Sequence, residues 1–141
     1  MKPKVINVGI ISRDDYVRRT VAIARGQHKP GPREPKVWFE SLRSMAEALS
    51  SDNQELLRLI VEESPQSLAE LEQISGRKKS NLSRTLKMLE GYGIVSLNRK
   101  QHRLIPTVHA TDFKVEFGVN VGRFPEPDKQ QTVTGLSTGA A

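Results

Sequence analysis

Between Arg77 and Arg103 the chain carries eight basic side chains (Arg77, Lys78, Lys79, Arg84, Lys87, Arg99, Lys100 and Arg103) and a single acid, Glu90. Ammonium and guanidinium groups at this density neutralise phosphate, and an arginine can grip a guanine edge through two hydrogen bonds. Their spacing is ordered. Ser80, Arg84 and Lys87 stand at i, i+4 and i+7, so a helix would carry them on one stripe, with Arg77 just before it in nearly the same direction. Asn81 and Ser83 flank that stripe, and Leu82, Leu86 and Leu89 take the opposite face. Asparagine suits adenine and serine reads either base weakly. A second group, Arg99, Lys100, His102 and Arg103, follows in a polar stretch. Lys78 and Lys79 fall at the expected N-cap and first turn, where cations oppose the helix dipole and a short polar residue would stabilise more. A choice that disfavours the helix locally points to use by a ligand, and a phosphate or base edge fits that place.

Other chemistries have little to stand on. The chain has no cysteine, and His28, His102 and His109 lie in separate segments, so no metal or cofactor is expected. No Gly-rich phosphate loop, HExxH or GxSxG occurs, and no enzyme activity is expected. No apolar run approaches the length needed to cross a bilayer, and the first residues, MKPKVINVGIISRDD, lack the apolar core of a signal peptide; a cytoplasmic protein without a membrane partner is expected. The 141 residues suffice for one domain of ordinary size, with 22 Lys+Arg against 16 Asp+Glu, a net charge of +6 and a pI near 9.8. Residues 1–36 hold nine basic and three acidic side chains, residues 37–64 two basic and six acidic. Two basic segments thus flank an acidic one.

The elements that would position these side chains follow from periodicity and punctuation. Lys4–Ile11 is a β-branched run and reads as a strand, and Ser12 caps a helix whose Val17, Val21 and Ala24 recur at helical spacing. Residues 28–36, with three prolines and a glycine, read as a linker. Val37–Phe39 suits a short strand or hydrophobic anchor. Leu42, Met45, Ala46 and Leu49 line one helix, Asn53 to Glu63 a second apolar over a wide arc, and Leu68, Leu71 and Ile74 a third opened by Ser67 with Glu70 at capping-box spacing. Ser75-Gly76-Arg77 makes a tight turn before the helix from Lys79 to Glu90. Ile94–Leu97 and Arg103–Val108 form a hairpin with Asn98–His102 as its charged tip, and Phe113–Phe117 reads as a further strand. From Gly122 onward few large apolar groups remain.

Three short helices, a tight turn before the last, then a two-stranded hairpin: this order predicts an α+β fold, a winged helix-turn-helix with a three-helix core and a β-hairpin wing, plus a small N-terminal strand-helix extension. The expected units are the extension at 1–27, a linker at 28–36, the winged helix-turn-helix at 37–118 and a tail at 119–141. In that frame the stripe on the last helix enters the major groove of double-stranded DNA, and the hairpin cations meet phosphate or an adjacent groove. Trp38, Phe39, Phe113 and Phe117 are expected to pack a core or a dimer interface.

The stretch Ser67-Leu-Ala-Glu-Leu-Glu-Gln-Ile-Ser-Gly-Arg-Lys-Lys-Ser-Asn-Leu-Ser-Arg-Thr-Leu-Lys-Met-Leu-Glu-Gly-Tyr-Gly-Ile-Val95 resembles the core of MarR- and ArsR-like winged-helix regulators, most closely from Leu82 to Val95. The resemblance implies a homodimeric transcriptional regulator with Ser80, Asn81, Ser83 and Arg84 on bases; a repressor on an inverted-repeat operator is expected, since one winged helix reads only a few base pairs and two-fold pairing doubles the contact. Lys78 departs from the family's short polar cap, and the metal ligands of ArsR-type sensors are missing. The whole chain is also similar to the TumA-type antitoxins, which implies a cognate toxin protein as partner and autoregulation of the shared operon. Two classes of function therefore stand side by side: a DNA-binding regulator, and a protein-interaction module that uses the winged helix as scaffold. DNA affinity that falls steeply with salt belongs to the first alone. Residues 1–36 and the tail are expected to bind a partner protein, unless the strand Lys4–Ile11 completes a sheet.

Overall fold

The alternation of β-branched residues in Val-Ile-Asn-Val-Gly-Ile yields the first strand, β1 (Val5–Ile10), and the computed structural model, which describes residues 2–119, follows it with α1 (Arg13–Ala24), β2 (Val37–Phe39), α2 (Leu42–Ala48), α3 (Ser51–Glu63), α4 (Leu68–Ser75), α5 (Lys79–Gly91), β3 (Val95–Lys100), β4 (Arg103–Val108) and β5 (Asp112–Glu116). The expected tail at 119–141 lies, but for its first residue, outside the described residues. The fold is α+β, and among the described residues no helix is long and apolar enough to cross a membrane.

The N-terminal strand is not an appendage. β1 is the middle strand of a three-stranded sheet, with β2 and β5 parallel to it on either side. Val8 lies opposite Val37 in one neighbour and Val115 in the other. Lys36 donates its N–H to the Asn7 carbonyl (3.0 Å), Asn7 Nδ2 donates to the Arg33 carbonyl (3.0 Å) and Ile11 N–H to the Phe39 carbonyl (2.9 Å). The stretch at 28–36 is thus bonded to the sheet, and the expected separation of residues 1–27 from the domain at 37–118 has no counterpart in the hydrogen bonding. Partners so far apart in sequence leave no local signal, which is why the segment reads as an extension until the sheet is seen.

The sheet has two differently covered faces, as period-two side chains require. Val8, Val37 and Phe39, with the half-buried Ile6, Ile10 and Phe113, join one core with Ala48, Leu56, Leu57 and Ile60 of α2–α3, Leu68 and Leu71 of α4, and Leu82, Leu86 and Leu89 of α5. Phe39 meets Tyr92, just after α5, at 4.3 Å between ring centroids. On the other face Trp38 lies across Gly9, where a Cβ would stand 2.3 Å from the indole, and the Arg19 guanidinium caps that ring at 5.0 Å. Only glycine admits this close approach. The helix stripe expected at Val17, Val21 and Ala24 is not the packed one. Val17 and Ala24 are exposed, and the half-buried side of α1 is formed by Arg18, Arg19 and Val21–Ile23, with Arg19 over Trp38.

Arg19 also closes an ion cluster. Its Nη2 donates to Glu34 Oε2 (2.8 Å) while His28 Nε2 lies 2.7 Å from Glu34 Oε1. Burial raises the Glu34 pKa, but the hydrogen bond from Arg19 and the nearby charges of His28 and Arg19 outweigh it, and the carboxyl is held below its ordinary value. A depressed carboxylate pKa stabilises the fold above the unfolded-state value and loses that contribution as pH falls through the folded one. Stability is therefore expected to drop on acidification below about pH 4.5, and Glu34→Gln to flatten that part of the profile. Urea midpoints measured across the acid range check this; parallel profiles for the two proteins would refute it.

Candidate functional site

The turn into α5 begins with Gly76, the C-cap of α4, at φ 74°, a left-handed conformation that glycine adopts without strain. α5 then buries Leu82, Leu86 and Leu89 completely, which turns Lys79, Ser80, Asn81, Arg84 and Lys87 outward and leaves Ser83 half-buried. Lys78 is the N-cap and makes no side-chain capping bond, as its type predicts. The missing cap is supplied from outside the helix: Glu72 of α4 accepts the Lys79 N–H at 3.0 Å. That carboxylate at the positive end of α5 offsets the cations of the first turn. The sequence shows only a glutamate seven residues upstream, so the substitute cap emerges from the α4–α5 packing.

Arg77 departs from the expected outward stripe. Its Nε donates to Asn81 Oδ1 (2.8 Å), Nη1 to Asn53 Oδ1 (3.1 Å) and Nη2 to Thr85 Oγ1 (2.9 Å). Asn53 is the buried polar residue of the core, and its Nδ2 donates in turn to the Ala48 carbonyl (3.0 Å) at the end of α2. One guanidinium thus links α3 to α5, and through Asn53 to α2. Its acceptors lie up to 24 positions away in sequence, beyond any spacing argument. Arg77→Ala leaves the Asn53 oxygen buried without its donor, and a loss of about 1–3 kcal/mol is expected. Lysine should not restore it, because one ammonium cannot span three acceptors in a planar fork. Urea denaturation checks this; midpoints unchanged in Arg77→Ala would show the network to be energetically idle.

The hairpin is tighter than the sequence suggests. β3 and β4 pair from Val95–Val108 to Lys100–Arg103, leaving only Gln101 and His102 as the tip. Both have positive φ, 53° and 65°, the geometry of a type I′ turn built without its usual glycine. Arg99 and Lys100 are therefore strand residues rather than tip residues. Counting pairs back from this turn, Pro106 opposite Leu97 falls at an unbonded position of the ladder, where its missing N–H removes nothing. Leu97 N–H instead donates to Glu90 Oε2 at 3.0 Å, so the lone acid of the basic segment ties β3 to α5.

These elements bring some of the basic residues together. Lys79, Arg99, His102 and Arg103 line one cleft of about 720 Å³ together with the first turn of α4, Gln66–Glu70. Arg77, Lys78, Ser80 and Asn81 line a second, beside Asp52, Asn53 and Glu55 of α3. Arg84 and Lys87 stand exposed farther along α5, and Lys100 is exposed on β3. The first cleft sets Lys79, Arg99 and Arg103 against one acid, Glu70, whose carboxylate accepts the Gln66 N–H beside the Ser67-capped start of α4, and the excess of cations suits it to an anion. The second mixes acids with cations and contains the Arg77 network, and its geometry is that of packing.

No curated protein and no solved structure matches the chain. From the last residue of α2 to β5, residues 48–115, it is similar to the family described as HVO_A0114, a stretch that contains α3, α4, α5, the hairpin and both clefts.

Proposed function

We propose that this chain is a double-stranded DNA-binding transcriptional regulator of the winged helix-turn-helix type, acting as a homodimer. The observation that carries the reading is the convergence of Lys79 from α5 with Arg99, His102 and Arg103 from the hairpin on one cleft, while Arg84 and Lys87 stand exposed along the same helix. A duplex needs such an arrangement: one helix for the major groove, and cations beside it for the phosphates that fix its register. In this reading α5 is the recognition helix and β3–β4 the wing. Arg84 is the principal base reader, because Asn81 already shares its side-chain oxygen with Arg77. Arg77 holds the helix in place and is not itself a DNA contact. Lys79, Arg99, Lys100 and Arg103 anchor phosphates.

Selection from a random duplex pool tests it. An inverted repeat is expected, with half-sites about 10–10.5 base pairs apart or a multiple of that. On the selected site Arg84→Ala should cost about 1–3 kcal/mol and relax preference at one position, whereas Lys100→Ala should weaken all sequences alike. Equal losses on selected and random DNA from both substitutions would refute the division of labour. A pool that never enriches would refute sequence-specific binding.

A further inference from the structure

Among the described residues the sheet ends at β5, and that strand exposes apolar side chains between its charged ones. Val115 is 45% exposed and Phe117 63% exposed, and beside them a cleft of about 810 Å³ opens between β5 and α2–α3, lined by Met45, Leu49, Val61 and Phe113 and also by Glu55, Arg58 and Glu62 of α3. The phase of the ladder decides which backbone groups face outward. Asp112 donates its N–H to the Lys4 carbonyl (3.1 Å), so Asp112, Lys114 and Glu116 bond to β1, while Phe113 and Val115, and Phe117 if the alternation continues, turn theirs to the open edge. An edge of this kind accepts another strand.

We infer that a second copy of this chain pairs antiparallel along β5, with Val115 on the two-fold axis. Self-pairing centred on Asp112, Lys114 or Glu116 sets a charge against its own copy, and centred on Phe113 it pairs Asp112 with Lys114 but leaves Val115 against Thr111 and Phe117 against His109, so charge and apolar matching together single out one register. Centred on Lys114, the pairing sets Lys114 against itself and Asp112 against Glu116, like charges throughout. Centred on Val115, it sets Lys114 against Glu116 of the second copy twice over, Val115 against itself and Phe113 against Phe117. Opposite charges directly across a strand pair stabilise it and like charges oppose it. The Val115 register also carries each Phe117 to a place beside the partner's Phe113, at the mouth of that cleft. Isologous pairing of this kind closes as a dimer and turns two three-stranded sheets into one of six. It rests on the DNA-binding reading for its purpose, since it supplies the symmetry of an inverted repeat, but it is measured without DNA.

Sedimentation equilibrium of the full chain at micromolar concentration is expected to show a dimer, and Val115→Arg a monomer whose circular dichroism is unchanged, since Val115 is exposed. Lys114→Glu and Glu116→Lys should each weaken dimerisation by about tenfold, and the double exchange should restore it. Because the chain has no cysteine, Val115→Cys should cross-link to itself on oxidation, the Cα atoms of such a pair standing about 5.5 Å apart. A wild-type monomer would overturn the inference and leave binding to a single half-site untouched. A dimer indifferent to both charge reversals and uncrosslinked at Val115→Cys would overturn the β5 interface while leaving the regulator a dimer by another surface.

Discussion

A chain beginning at residue 37 is expected not to fold. Removing residues 1–36 takes β1 from between β2 and β5, so neither outer strand keeps a neighbour and the core loses Val8, Ile6 and Ile10. Complete burial of one such aliphatic side chain contributes about 1.5–3 kcal/mol, and the lost total approaches the roughly 5–15 kcal/mol that separates folded from unfolded domains. A point substitution should act the same way. Val8 is fully buried in the central strand, and Val8→Asp would place an unpaired carboxylate there, a penalty of several kcal/mol. Circular dichroism and proton chemical-shift dispersion check both. A truncated chain with native helix content and cooperative unfolding would mean that the sheet is dispensable and would return residues 1–36 to the role of a partner-binding arm.

The second large effect concerns the cleft shared by α5 and the hairpin. Arg99 and Arg103 are exposed and make no ion pair among those found in the described residues. Reversing both, as Arg99→Glu with Arg103→Glu, should leave stability nearly unchanged, since exposed charges contribute little to folding. DNA affinity should fall by orders of magnitude at low salt, and the salt slope should diminish by about two units, one for each lost phosphate contact. Anisotropy titrations on duplex DNA over a series of salt concentrations check this. A doubly reversed protein that binds as tightly as the wild type would remove the hairpin from the interface.

Much of this architecture was legible because its signals are local. The serines at 12, 50 and 67 cap their helices as their types predict, and Leu82, Leu86 and Leu89 are buried as their spacing predicts. Gly76 takes the left-handed turn that sets α5 against α4. What stayed hidden is what only tertiary contact creates. Strand pairing between Val5–Ile10 and Asp112–Glu116 joins opposite ends of the described chain, and β2 is three residues long. The hairpin tip, Gln101-His102, lacks the glycine or asparagine that marks a two-residue turn, so the sequence alone suggests a longer tip than the two residues found. Within the candidate site, the exposed positions of Ser80, Arg84 and Lys87 followed from helical period alone. The inward turn of Arg77 did not, because it depends on the Asn53 oxygen supplied by α3. Glu70 shows the same limit on a smaller scale: it reaches back as a capping box would, but to the Gln66 N–H rather than that of Ser67.

DNA binding as proposed requires that α5 and the hairpin together form a surface for the DNA backbone and base edges. The most direct measurement is the affinity of the full chain for random-sequence duplex as a function of salt. Log K is expected to fall linearly with log salt, with a slope of about −0.9 for each phosphate neutralised and several phosphates engaged. A slope near zero, or no binding even at low salt, would contradict it.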